Sequence, residues 1–359
     1  MATNSKQRME TKTEQKEWLY GKTLTELEAI VLRLELPKFT AKQIANWLYQ
    51  KQVSSMDEMT NLALKVREKL AEQYQVGFIA NSNVQASVDG TKKYLFPTLT
   101  GKFIEAAYIP DRERATLCVS SQAGCKMGCL FCMTGKQGFQ GHLTAGEILN
   151  QIKSLPERET ISNVVYMGMG EPLDNLSAVL PSLEILTAEW GYAWSPKRIT
   201  VSTIGIIPGM DEFLEKSNAH LAVSLHNPFD DERRKLMPIQ NVYPIAEVIA
   251  HIKKFNLGKQ RRVSFEYIMF KGLNDTPRHV KELAKLLNGL RCRINLIRFH
   301  PIPNTPLEGS NEATLKSFQE QLNQKGITTT IRASRGQDIF AACGMLSTKA
   351  LVKESEEEV

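Results

Sequence analysis

Apolar residues follow two alternating rhythms along most of this chain. Short runs rich in β-branched and aromatic residues read as strands: ATLCVS, NVVYM, RITVST, HLAVSL, RRVSFEYIMF, RINLIRF and ITTTIR. Between them, helix-like segments fall near 144–154, 175–188, 208–217, 244–255, 276–288 and 312–325. Thr144 and Glu147 form a capping-box pattern at the head of the first. Strands alternating with helices imply an α/β fold, a parallel sheet covered by helices. Six such units are too few for a closed eight-fold barrel, so a partial (β/α)6 barrel or an open sheet is expected. Upstream, KKYLFPTL and KFIEAAYIP read as a hairpin around Thr100 and Gly101, a short β extension over 91–110. Residues 21–90 read as a small helical accessory domain. Helix starts are expected at Thr25 with Glu28 and at Thr40 with Gln43, and Ile44, Trp47 and Leu48 share one apolar face that reads as core packing. Residues 1–20 read as a disordered tail, 111–348 as the main domain, and 349–359 as an acidic C-terminal tail.

Composition changes the picture only a little. No run approaches the roughly 18 apolar residues of a membrane span. The polar start, MATNSKQRMETKTEQKEW, lacks the apolar stretch of a secretory signal, so a cytoplasmic location is expected. Formal charge is +6, and the body without the final KESEEEV is +9, which favours a polyanion such as RNA. KQRR (259–262) and RCR (291–293) are candidate RNA contacts, although any single basic residue reads more simply as a solvated face.

The chemistry concentrates in GCKMGCLFCMTG, where Cys125, Cys129 and Cys132 stand in the order C-x3-C-x2-C. A disulfide framework does not suit a cytosolic chain of this size. Structural zinc wants four ligands, commonly from two paired halves, and no second pair exists; His142 lacks the usual spacing for a fourth. A cubane iron–sulfur cluster held by three thiolates would leave one iron open for a small chelating ligand. Packed thiols without metal are the remaining alternative. GMGEP (168–172), Ser202 and Thr203, SLHNP (224–228) and FHPIPNTP (299–306) also follow expected strands. In parallel β/α folds the loops at strand carboxyl ends gather at one site.

The triplet with Phe131 before its last cysteine resembles the radical S-adenosylmethionine superfamily, and GMGEP resembles the glycine-rich segment that contacts the ligand's amino group there. ATLCVSSQAGC around Cys118 and RGQDIFAACG around Cys343 resemble the superfamily's RNA methyl synthases, the RlmN and Cfr group. The resemblance covers nearly the whole chain, with its motifs in the family's order. It implies a radical-SAM partial barrel carrying one 4Fe-4S cluster on Cys125, Cys129 and Cys132, with S-adenosylmethionine on the open iron. Ligand contacts carry over to Gly170, Glu171, Ser202, Ser224, Leu225, His226 and His300; many family members have Asn at the last position.

The implied chemistry methylates a ring carbon of adenine and consumes two S-adenosylmethionine molecules per turnover. Cys343 takes a methyl group, a radical formed from the second S-adenosylmethionine activates it, and the methylene adds to the adenine. Cys118, expected as a nearby thiolate, then releases the product and leaves a disulfide to be reduced. Glu105 matches the family's proton acceptor; on the residues alone, a lone Glu in a strand reads as solvent-facing. GMGEP resembles the carbon-2 group, whereas carbon-8 enzymes more often read GMGEA. The implied partners are 23S rRNA at adenosine 2503, tRNA at adenosine 37, and an electron donor such as a flavodoxin system, with the chain a monomer and no membrane involved. A carbon-8 methyl synthase, a radical activase acting on protein, and a zinc-stabilised RNA-binding module remain alternatives. Cys292 reads as a packed small hydrophobe.

Overall fold

The computed structural model describes residues 16–258 and 261–348. Two short strands, β1 (Glu17–Trp18) and β2 (Tyr74–Gln75), pair in parallel. Between them in sequence lie helices α1 (Leu24–Arg33), α2 (Thr40–Ala45) and α3 (Leu64–Gln73). Residues 17–20 were expected in the disordered tail. Instead Trp18, Leu19 and Tyr20 are buried, because the strand pair carries them into the core. Residues 1–15, Lys259, Gln260 and the 349–359 tail lie outside the described residues.

The capping box of α1 is Thr23 with Glu26, two residues before the expected pair. The expected cap at Thr40 is also absent: Phe39 precedes that helix and makes no side-chain cap. Ile44 and Leu48 are buried as expected, and Trp47 packs partly buried against the same core.

Strands β3 (Asn83–Ala86), β4 (Lys92–Pro97), β5 (Phe103–Asp111) and β6 (Arg114–Cys118) run antiparallel in sequence. The small pair β7 (Gln122–Ala123) and β8 (Gly141–His142) brackets the cysteine loop and the short helix α4 (Met133–Gln137). Six helix-to-strand units follow: α5 (Ala145–Lys153) to β9 (Asn163–Tyr166), α6 (Leu176–Thr187) to β10 (Ile199–Thr203), α7 (Ile207–Lys216) to β11 (His220–Ser224), α8 (Asp230–Leu236) and α9 (Ile245–Ile252) to β12 (Val263–Met269), α10 (Pro277–Leu286) to β13 (Cys292–Arg298), and α11 (Glu312–Gln324) to β14 (Thr328–Ile331). The ten-stranded sheet runs β14-β13-β12-β11-β10-β9-β6-β5-β4-β3. It is parallel from β6 to β14 and antiparallel from β6 to β3.

Helices pack on the parallel sheet, and its central strands are deeply buried; all seven residues of β12 are buried, Ser264 and Glu266 among them. Every residue of α5 is buried too, because the N-terminal block covers the face turned away from the sheet. The approach is close: a Cβ on Gly146 would lie 2.5 Å from the Tyr20 carbonyl. Buried Lys153 reaches across this junction, with its ammonium 2.8 Å from the Val53 carbonyl and 4.6 Å from the Tyr20 ring centroid. Asn150 completes it by exchanging two hydrogen bonds with the Ile79 backbone. One apolar core runs through both parts. Among the described residues, no helix is long and apolar enough to cross a membrane.

Candidate active site

At the carboxyl ends of the parallel strands lies a cavity of about 480 Å³. Its wall includes Cys118 at the end of β6, Cys125, Cys129 and Cys132 on the next loop, Gly170 and Glu171 after β9, Ser202 on β10, Ser224 at the end of β11 and His226 just beyond it, His300 after β13, and Cys343 beyond β14. Two candidates are absent from this wall. Leu225 is fully buried in the core. Glu105 also lies off the cavity, although it is fully buried and not solvent-facing as a lone strand glutamate would be. His142 is likewise not in the wall; it interacts with Gln122 and Phe139.

Backbone geometry fixes the loops. Gly124 opens the cysteine loop at φ +69°, with the Gly138 carbonyl occupying the space a Cβ would need. Gly170 sits at φ +97°, where a Cβ would meet the Gln122 side chain at 2.5 Å. A substituted residue at either position would clash as well as strain. The Glu171 carboxylate accepts from the Leu173 and Ile204 amides at 3.1 and 3.0 Å, joining two loops. Burial pushes its pKa up to about 7 against those bonds and one from Thr203.

His226 adopts φ +54°, a strained conformation for a bulky residue. Its Nδ1 accepts from the Ile268 amide at 3.0 Å, which leaves Nε2 carrying the proton. Burial, helped by the nearby Arg233 charge, pushes its pKa down to about 3, so the ring is a neutral donor. It meets Phe131 edge to face, with centroids 4.7 Å apart. His300 Nε2 lies 2.8 Å from Ser334 Oγ, and burial with Arg298 lowers its pKa.

The three loop cysteines act on one another electrostatically. Burial pushes Cys125 up to about 12 and Cys129 well above the ordinary thiol range. Across the cavity, burial and Cys343 push Cys118 up to about 12, so it rests as a thiol and not as the expected thiolate. Cys343 faces the open space of the cavity, yet the surrounding protein raises its thiol as well. All six cysteines are free.

The segment after β14 closes this site like a strap. The Met133 amide donates to the Gly344 carbonyl at 2.8 Å, and Thr134 Oγ1 donates to the Leu346 carbonyl at 2.7 Å. The Ser347 amide donates to Glu105 Oε2 at 2.9 Å, while Lys93 Nζ lies 3.0 Å from Oε1. Burial raises the Glu105 carboxyl, and Lys93 and the Ser347 amide oppose it. Lys93 was not anticipated. The hairpin register offered a signal, because Glu105 pairs with Leu95 and Lys93 stands two residues away on the same face.

The basic stretches fall elsewhere. Arg261, Arg262 and RCR sit at the amino ends of β12 and β13, opposite the cavity. Arg261 spends its guanidinium on the Ala219 and Leu214 carbonyls. Cys292 is half-buried against the core, with its thiol pushed up to about 11 by burial.

Two family models match this chain. One, described as the Radical SAM superfamily, covers residues 119–287, and the other, Ribosomal RNA large subunit methyltransferase N-terminal domain, covers 18–76. A Phocaeicola vulgatus protein named probable dual-specificity RNA methyltransferase RlmN is 59% identical over 336 residues, covering 94% of this chain and 96% of its own length. The chain belongs to the RlmN family of the radical SAM superfamily. A further RlmN relative, the dual-specificity RNA methyltransferase of Syntrophus aciditrophicus, is 41% identical over 333 residues, covering 92% of this chain and 96% of its own. The solved structure of a radical SAM methyltransferase from Sphaerobacter thermophilus superposes with a TM-score of 0.85 at 39% identity, covering 92% and 99% of the two chains.

The RlmN fold implies an iron–sulfur cluster and S-adenosylmethionine, and the residues here fit both. Cys125, Cys129 and Cys132 all line a cavity large enough for a nucleoside-sized ligand. Among the described residues, no three His, Cys, Asp or Glu side chains form a ready-made site for one metal ion. Burial by itself keeps the Cys125 and Cys129 thiols protonated, and a cationic iron core would bind them as thiolates, displacing their protons.

Proposed function

We propose that this chain is a radical methyl synthase acting on carbon 2 of adenosine 2503 in 23S rRNA and of adenosine 37 in tRNAs. One observation supports the reading above others: Cys118, the cysteine triplet and Cys343 share one cavity with Gly170, Glu171, Ser202, Ser224, His226 and His300. Cys125, Cys129 and Cys132 would hold a 4Fe-4S cluster, and these glycine, glutamate, serine and histidine positions, with Leu225, would hold S-adenosylmethionine. When bound, these groups supply the methyl donor and the hydrogen-abstracting radical. The Cys343 sulfur accepts the methyl group by displacement and then presents its carbon to the adenine. Glu105 takes the proton from the ring carbon. Because it lies behind the strap, it reaches the adduct only when the Ser347 amide lets go. Cys118 then attacks the Cys343 sulfur as its S–C bond breaks, forming a disulfide; the released methylene carbon takes up a proton to become the methyl group, and the adduct's surplus electron would return to the bound cofactor.

The helical block over 21–90 is the proposed RNA-contacting domain, ahead of the hairpin at 91–110 and the core at 111–348. The target base must be unstacked to enter the cavity. A monomer served in the cytoplasm by a flavodoxin-type donor completes the reading. The test is anaerobic purification with iron and sulfide analysis, then nucleoside mass spectrometry of unmodified rRNA and tRNA after reaction. The expected result is 2-methyladenosine from the native chain and none from Cys343→Ala. 8-Methyladenosine would overturn the carbon-2 assignment, and no methyladenosine from iron-loaded protein would overturn the reading itself.

A further inference from the structure

Arg233 is fully buried, and among the described residues it has no ion pair with a carboxylate. Its partners are all neutral: the Leu225 carbonyl at 3.0 Å, Gln240 Oε1 at 2.6 Å, the Ile204 carbonyl at 3.2 Å and the Ser224 carbonyl at 3.0 Å. The nearest acid, Asp230, is held one side chain away through Gln240. A buried cation with only neutral partners is expensive unless an anion lies close by.

The surroundings indicate where that anion belongs. Ile204 follows β10 directly, and Ser224 and Leu225 span the end of β11, both places where the chain carries cavity-lining residues. The same helix, α8, grips the cysteine loop from its other end: the Leu130 amide donates to the Leu236 carbonyl at 2.9 Å. Cys129, Leu236 and Met237 share one apolar cluster. The positive charge therefore stands on the helix that packs behind the loop carrying Cys129.

We propose that Arg233 is the buried counter-charge of the cluster held by Cys125, Cys129 and Cys132, and a positioning residue for the two loops flanking it. This rests on the iron–sulfur reading above. A cubane core on three thiolates is net anionic and becomes more so on taking one electron from the external donor. A fixed cation in a low-dielectric site favours the reduced form, so Arg233 raises the reduction potential.

The test is a mediator titration of the anaerobic protein, followed by electron paramagnetic resonance. Arg233→Gln should lower the reduced-to-oxidised ratio at fixed potential about tenfold, a shift of about 59 mV for a one-electron couple. Arg233→Lys, which keeps the charge but loses the forked hydrogen bonds, should stay close to the native potential. A merely structural arginine would make both variants behave alike, and that outcome, or an unshifted Gln variant, overturns the proposal. If Arg233→Gln does not fold, the Lys variant decides: its potential should fall relative to native protein as pH rises and the ammonium loses its proton, whereas the guanidinium keeps its charge. Parallel pH profiles for the two proteins overturn the proposal. Native protein without iron–sulfur would instead sink the cofactor reading.

Discussion

Removing the Lys93 ammonium isolates a fully buried carboxylate. At 3.0 Å and an effective dielectric near 20, its attraction to Glu105 is on the order of 5 kcal/mol before desolvation. Deleting one partner of a buried pair typically costs about 3–5 kcal/mol. Lys93→Met should therefore lose stability of that order at neutral pH, less whatever Glu105 recovers by taking up a proton. Burial already raises the Glu105 carboxyl above the ordinary glutamate value of 4.5, and without Lys93 it rises further. Below 4.5 the carboxyl is protonated in the folded and unfolded chain alike. The gap between native and variant should thus be small there and open as pH rises through the native folded pKa. Urea unfolding at several pH values measures it. A loss equal at pH 4.5 and pH 7 would refute an ionic role for the pair. The same variant should also methylate slowly, since a neutral Glu105 accepts no proton.

Cys118→Ser should accumulate a covalent protein–RNA species, visible as a retarded band on denaturing gels and absent from Cys343→Ala. With the Cys118 thiol near 12, resolution of that species by the native chain should speed up about tenfold per pH unit around neutrality, read by quenched-flow gels. His226 should keep the nitrogen shifts of a neutral ring from about pH 5 to 8. Its pKa near 3 lies below the unfolded 6.5, so the unfolded chain gains the proton first, and this group makes stability fall on acidification between those values. Gly146→Ala should destabilise by about 1–3 kcal/mol in thermal melts, because the added methyl strikes the Tyr20 carbonyl. Stripping iron with a chelator should abolish methylation while leaving far-UV circular dichroism largely intact, since the main core does not include the cysteine loop.

The parallel strands were legible because their residues are largely apolar or β-branched and alternate with helix-period segments; β11, HLAVS, is a clear case, with four of its five residues buried. Edge strand β3, NVQA, carries no such run, and three of its four residues are exposed, so it left no trace. Two overlapping frames, Thr23 with Glu26 and Thr25 with Glu28, offered the same helix signal; only the extended backbone at Thr23 separates them. The site residues on strand ends were readable from their motifs. Arg233 was not, since DDERRKL looks like a solvated charged helix and nothing in its spacing marks which arginine turns inward. Lys93 was hidden for a related reason: its partner is set by hairpin register, not by sequence proximity.

The strap that returns from β14 has a thermodynamic consequence. Its backbone bonds end on the first residues of α4, which begins immediately after Cys132. Whatever orders the cysteine loop therefore steadies the residues around Cys343, and by reciprocity a closed strap tightens the hold on whatever the three thiols bind. Cofactor loading and readiness of the distant sulfur are then two readings of a single equilibrium, and the slow hydrogen exchange of the Ser347 amide would report on both.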